Sequence, residues 1–159
     1  MKSAKILLEK TDIRPSFQRV RILYYLMCNK DHPTAEKIYR DLLEETQTIS
    51  KVTIYNTLNL LKENGLVRTI DLAGEETRYD VQLKPHAHFQ CTRCGKLWDT
   101  ELDLTKLGDL KLGTKKIEEV QLLFKGVCEN CQNQKEKEQM RKMGKPKEKV
   151  KLYYLNQAK

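Results

Sequence analysis

Ser50-Lys51-Val52-Thr53-Ile54-Tyr55-Asn56-Thr57-Leu58-Asn59-Leu60-Leu61-Lys62-Glu63-Asn64-Gly65-Leu66-Val67-Arg68-Thr69-Ile70 changes its period part-way along. Val52, Ile54, Tyr55, Leu58 and Leu61 fall at helical spacing, Ser50 offers a hydroxyl as N-cap, and Asn64-Gly65 stops the helix. Beyond Gly65 the period drops to about two. Leu66 to Ile70 reads as a strand, Gly74-Glu75-Glu76 as a turn, and Thr77 to Val81 as the returning strand. Upstream, Ile6-Leu7-Leu8 with Ile13 opens a short helix, and Phe17, Val20, Ile22, Leu23, Leu26 and Met27 line one face of a second. Asp31-His32-Pro33-Thr34 is a capped turn before Ala35, Ile38, Tyr39, Leu42 and Leu43. Helices followed by a two-stranded hairpin predict a winged helix over residues 1–83.

Lys84-Pro85 is the expected hinge, since proline interrupts pairing. Residues 84–134 read as a second, α/β unit, which makes the class α+β. Phe89-Gln90-Cys91 and Leu97-Trp98-Asp99 are strands around a Cys91-Thr92-Arg93-Cys94-Gly95 turn. A short helix is expected from Leu102 to Leu112, then a strand from Val120 to Val127. Residues 135–159 are expected to be a basic, flexible tail.

The formal charge of +8 is concentrated at the end: residues 132–159 hold nine lysines and arginines against three acids, and the body is nearly neutral. Overall basicity is therefore weak evidence for DNA binding, which has to rest on motif. No apolar run approaches the roughly 18 residues of a membrane span, so a soluble, cytoplasmic protein is expected.

Four of five cysteines form two Cys-x-x-Cys pairs, Cys91/Cys94 and Cys128/Cys131, separated by 33 residues. This spacing suits four thiolates around one zinc ion at about 2.3 Å. Such a shell is closed, so the expected role is structural. Cys28, beside Leu26 and Met27, is expected to be a small core residue.

The three histidines are His32, His86 and His88. In a strand His86 and His88 share a face. With Asp80 and Asp99 nearby, they make a mixed nitrogen and oxygen site suited to Fe(II), Mn(II) or Zn(II). His32 lies far off in sequence, and its spacing alone leaves it either a ligand or a turn residue.

From about residue 12 to 131 the chain resembles the ferric uptake regulator (Fur) family. The matching pieces include Arg14-Pro15-Ser16-Phe17-Gln18-Arg19, Asp31-His32-Pro33-Thr34-Ala35-Glu36, Val52-Thr53-Ile54-Tyr55-Asn56-Thr57-Leu58, Arg78-Tyr79-Asp80 and His86-Ala87-His88-Phe89-Gln90-Cys91-Thr92-Arg93-Cys94. The resemblance implies a homodimeric repressor on an inverted-repeat DNA operator, with residues 84–134 as the dimerisation domain. It implies a regulatory metal on His32, Asp80, His86, His88 and Asp99. DNA contacts by resemblance are Arg14, Gln18, Arg19, Lys51, Thr53, Tyr55, Asn56 and Asn59. Aspartate at both acidic positions makes the chain similar to the peroxide-sensing, PerR-like branch, in which Fe(II) or Mn(II) is the regulatory ion. A further family metal site is expected to be absent, because Pro85, Ala87 and Val120-Gln121 stand at its positions. An iron- or zinc-availability sensor on the same scaffold is the alternative reading.

Two other classes compete. A metalloenzyme would want His-Glu-x-x-His, or His-x-Glu with Pro-Cys-x-x-Cys, and neither motif occurs. A zinc-ribbon interaction module is the other, and a mobility-shift assay with and without Mn(II) would distinguish a repressor from both. The chain is thus expected to be a regulator and not an enzyme.

Overall fold

The structure is a computed structural model that describes residues 1–46, 48–72, 74–82, 84, 86–102, 114 and 120–134. Four helices come first: α1 (Lys2–Lys10), α2 (Phe17–Cys28), α3 (Ala35–Thr46) and α4 (Lys51–Glu63). Ser16 caps α2 by accepting from Arg19 N–H, and Ser50 caps α4 by accepting from Thr53 N–H. Gly65, at φ +66°, ends α4, and Leu66 N–H returns to the Leu61 carbonyl at 2.9 Å. A β-carbon would resist that left-handed turn. Leu66, 4% exposed, is thereby tucked into the core.

β1 (Arg68–Ile70) and β2 (Arg78–Asp80) form the expected antiparallel wing, shorter than the alternation suggested. Pairing stops after three residues on each side, yet β2 also meets Thr34 from the turn before α3. β3 (Ala87–Cys91), β4 (Leu97–Thr100) and β5 (Leu123–Gly126) make a second sheet in the order β4-β3-β5, with β3 and β5 parallel. Residues 129–134 are helical. Among the described residues no helix is long and apolar enough to cross a membrane.

The main core joins Leu8, Ile22, Leu23, Leu26, Ile38, Leu42, Ile54, Leu58 and Leu61, so all four helices share it. A smaller cluster of Ile70, Leu72 and Leu97, with Leu123 against it, lies between the wing and the second sheet.

The Cys28 expectation is overturned: its side chain is exposed. The buried stripe of α2 runs through Ile22, Tyr25 and Leu26, and a residue two positions beyond Leu26 is rotated by about 200° on the helix, towards solvent. The β5 expectation is trimmed, since pairing covers Leu123–Gly126 instead of Val120 to Val127. The helix expected between Leu102 and Leu112 falls almost wholly outside the described residues, as does the tail of 135–159.

Leu8 is fully buried although α1 begins the chain. Leu8→Ala should cost roughly 2–5 kcal/mol in urea unfolding, as for other buried leucines. A cost under about 1 kcal/mol would mean that α1 is dispensable to the core.

Candidate metal centres and nucleic-acid face

The knuckle at Cys91 follows from its backbone. Cys91 N–H donates to the Lys96 carbonyl and Gly95 N–H to the Cys91 carbonyl, both at 2.9 Å, with Gly95 at φ +68°. Thr92 N–H donates to the Gly126 carbonyl at 2.7 Å, which ties the knuckle to the end of β5. Cys128 immediately precedes the short helix and Cys131 lies in its first turn. The four sulfurs all lie within 4.8 Å of one another. Cys94 and Cys128 Sγ are 3.9 Å apart, near the edge of about 3.8 Å that a tetrahedron with 2.3 Å arms requires. Backbone N–H groups of Cys128, Cys94 and Arg93 pull the Cys91 thiol down to about 6. The neighbouring sulfurs, Cys128 first, push Cys131 up to about 12. Without a cation the four sulfurs would not all ionise at neutral pH. The cluster fits a structural zinc ion.

The second centre draws on both halves of the chain. His32 sits at φ +50°, a sparsely populated region that histidine enters more often than most residues, and it precedes a proline. The strain is held from several sides. Tyr79 N–H donates to the Pro33 carbonyl at 3.1 Å, and Arg78 Nη1 donates to the His32 carbonyl at 3.4 Å. Asp80, at the end of β2, accepts Gln82 N–H on Oδ1 at 2.8 Å. His88 and Asp99 are a cross-strand pair between β3 and β4, which explains why their side chains face the same way.

Atoms of His32, Asp80, His86 and His88 converge within 4.8 Å. Asp99 enters from β4: its Oδ1 is 2.7 Å from His32 Nε2, 3.3 Å from His86 Nε2 and 3.7 Å from His88 Nε2. The structure thus brings together all five residues singled out in the sequence. The donor set can be tested on its protons. His86 Nδ1 donates to the Lys84 carbonyl at 2.8 Å, so in the neutral ring Nε2 presents a lone pair. That lone pair faces His88 Nε2 at 2.9 Å and Asp80 Oδ2 at 3.3 Å. Asp80 Oδ2 is buried and has no hydrogen-bond donor among the described residues. Burial, then repulsion from His32 and His86, pushes His88 down to about 4. Electron pairs converge with too few protons between them, which is what a divalent cation corrects.

Of the eight residues expected at DNA, Arg14, Gln18, Arg19, Thr53 and Asn56 line one notch of about 320 Å³ between the start of α2 and the start of α4. Tyr55 and Asn59 are exposed on α4. Lys51 stands apart, paired with Glu36 at 2.8 Å and held 5.2 Å over the Tyr39 ring.

Sequence reading missed the residues that clamp the wing to the second sheet. Arg78 Nη2 donates to the Gly95 carbonyl at 3.4 Å while Nη1 holds His32. Gln90 Nε2 donates to Glu75 Oε1 at 2.7 Å, and Gln121 Nε2 to the Thr69 carbonyl at 3.2 Å. For Arg78 there was a signal, because it shares a strand face with Asp80. Nothing in the sequence marked the glutamines.

Residues 10–125 match the ferric uptake regulator family. The chain belongs to that family. The peroxide operon regulator of Bacillus subtilis is 33% identical over 134 residues, covering 82% of this chain and 92% of that protein. The crystal structure of the Campylobacter jejuni peroxide stress regulator is similar at 25% identity, with a TM-score of 0.58 over 82% of this chain and 97% of that one. The Helicobacter pylori ferric uptake regulator Fur shares the fold, with a TM-score of 0.66 at 20% identity over 82% of this chain and 90% of that one. The sequence resemblance to the family is thereby established, and with it the α+β class.

The His88 shift has a direct consequence for the protein with no divalent ion at this centre. A folded value of about 4 against an ordinary 6.5 means that the unfolded chain binds more protons between those limits. Stability should therefore fall as pH drops from about 6.5 towards 4 and should be unaffected by this group above that window. Thermal melts should show a shallower acid slope for His88→Asn than for the native chain. Parallel slopes would contradict the assignment.

Proposed function

We propose that this Fur-family protein is a homodimeric transcriptional repressor whose DNA binding depends on a divalent ion held by His32, Asp80, His86, His88 and Asp99. The observation that carries the reading is the 2.7 Å approach of His32 to Asp99, where a residue of the DNA-binding half meets one of the second sheet. An ion shared there favours one angle between residues 1–83 and 84–134, and a ligand can bias only an equilibrium whose two states it binds differently. Zinc on Cys91, Cys94, Cys128 and Cys131 fastens β3 to the segment after β5. Arg14, Gln18, Arg19, Lys51, Thr53, Tyr55, Asn56 and Asn59 face the operator, an inverted repeat that matches a two-fold dimer.

The finer reading is peroxide sensing with Fe(II) or Mn(II) as regulatory ion. Aspartates at 80 and 99 and the likeness to the Bacillus subtilis peroxide operon regulator support it. A ferrous ion, when bound, supplies electrons to peroxide beside the imidazoles. Oxidation of His32 or His86 then weakens the donor set, and the two halves relax from the angle that fits DNA. The second reading, an iron- or zinc-availability sensor, uses the same site without that chemistry.

Anaerobic reconstitution with Fe(II) or Mn(II), mobility shift on a DNA fragment selected by the Mn(II)-loaded protein, and peptide mass spectrometry separate the two. The metal-loaded protein should bind DNA and His32→Ala should not. Peroxide should release the Fe(II) form, with single-oxygen adducts on peptides carrying His32 or His86. Fe(II) protein that stays bound and free of adducts would favour the availability sensor.

Arg78 is a positioning residue in this scheme, since it holds the His32 carbonyl against the zinc knuckle before any ion arrives. Arg78→Gln should weaken Mn(II) binding about tenfold, or 1.4 kcal/mol. The same change should have little effect once His32 is already alanine. Equal losses in both backgrounds would show that Arg78 acts elsewhere.

A further inference from the structure

The outward stripe of α4 carries an apolar residue that the core does not use. Ile54, Leu58 and Leu61 are buried in the core, while Val52, Tyr55, Asn56 and Asn59 are exposed at the i, i+3, i+4 and i+7 spacing of one helical face. Val52 is 66% exposed, more than Tyr55 at 48%. It stands in the first turn after the Ser50 cap, one turn ahead of Asn56. Asn56 in turn lines the notch that holds Arg14 and Arg19. A single exposed aliphatic side chain is common on a protein surface. A β-branched one in a helix also costs rotamer freedom, and at Val52 little packing offsets that cost.

The groups around Val52 narrow what it can read. Thr53, Asn56 and Asn59 can donate and accept hydrogen bonds, and Arg14 and Arg19 suit phosphates. Lys51, the preceding residue, lies off the stripe and holds its ammonium 2.8 Å from Glu36 and 5.2 Å over the Tyr39 ring. Val52 has no hydrogen-bonding side chain. In the major groove the base edges present acceptors, donors and one apolar group, the C5-methyl of thymine. A recognition helix brings its N-terminal residues to those edges. An aliphatic side chain in the first turn of α4 therefore has one feature there that it can distinguish.

We propose that Val52 is a specificity-determining residue that packs against the C5-methyl of one thymine in each half of the operator, with Tyr55, three residues on, beside it. The proposal rests on the reading of α4 as the DNA-reading helix, and it names a further residue and the base that residue selects. The contact carries sequence information and no charge. Removing it should change the preference at one base pair per half-site and leave the salt dependence of binding as it was, because that dependence follows the phosphate contacts.

The test uses the full chain, with Zn(II) at the sulfur cluster and Mn(II) at the mixed centre, and a symmetric DNA fragment selected by that protein. Each thymine is replaced in turn, in both half-sites together, by deoxyuridine, which lacks the methyl and keeps every hydrogen-bonding group. At one symmetric pair the native chain should lose affinity by about fourfold per half-site, the worth of one buried methyl group. Val52→Ala should bind the thymine fragment more weakly, with an unchanged salt slope, and should lose nothing further on replacement at that pair. Val52→Thr, which keeps the branched shape and puts a hydroxyl in place of one methyl, is the second variant should alanine alter the start of the helix. No sensitive thymine, or sensitivity equal in the native chain and both variants at every position, would overturn the assignment of Val52 while metal-dependent DNA binding stands. If the loaded protein selects no DNA at all, the assignment falls together with the DNA-binding reading.

Discussion

Five electron-rich atoms, carried by four segments of the chain, are brought towards one point. His32 arrives on a strained turn ahead of α3, Asp80 on the end of the wing, His86 just ahead of β3, His88 on β3, and Asp99 on β4. In a neutral ring His86 turns its Nε2 lone pair inward, because Nδ1 donates to the Lys84 carbonyl, and Asp80 Oδ2 accepts no hydrogen bond among the described residues. Burying such a set is unfavourable unless a positive charge enters. A cation at that point would hold all four segments at once.

The two centres answer different physical demands. In the sulfur cluster every ligand lies within the second half, and the thiols have few partners besides each other and nearby backbone N–H groups. An ion there contributes to folding. In the mixed cluster the donors are carboxylate oxygens and borderline imidazole nitrogens, and they come from segments far apart in the chain, so an ion there would tie those segments together. β3 runs through both centres, with His88 three residues from Cys91, and Arg78 spans them a second time from the His32 carbonyl to the Gly95 carbonyl. The mixed centre is thus referenced to the sulfur knuckle on one side and to the turn between α2 and α3 on the other.

The wing contributes to both ends of this arrangement. Its outer turn is held by Gln90 through Glu75, and the β1 backbone by Gln121. The Ile70, Leu72 and Leu97 cluster adds apolar contact beneath them. Among the described residues these contacts are more polar than those of the helical core.

Local chemistry was legible in the sequence. The helix and wing from Ser50 to Val81 follow from period, caps and Gly65, because these depend on near neighbours along the chain. The zinc knuckles were legible for the same reason, their spacing being set by the reach of two residues. His86 and His88 showed themselves as a pair through strand alternation. His32 did not, since nothing within the Asp31 to Thr34 turn distinguishes a ligand from a turn residue; only its family match marked it. Cys28 was misjudged because its neighbours' apolar character hid its rotation on α2. The meeting of His32 with Asp99, the bridging by Arg78 and the clasps of Gln90 and Gln121 are long-range facts. They arise where separately folded segments are brought side by side, and contact between residues far apart in a chain leaves no periodic trace in either segment. Tertiary structure alone decided them.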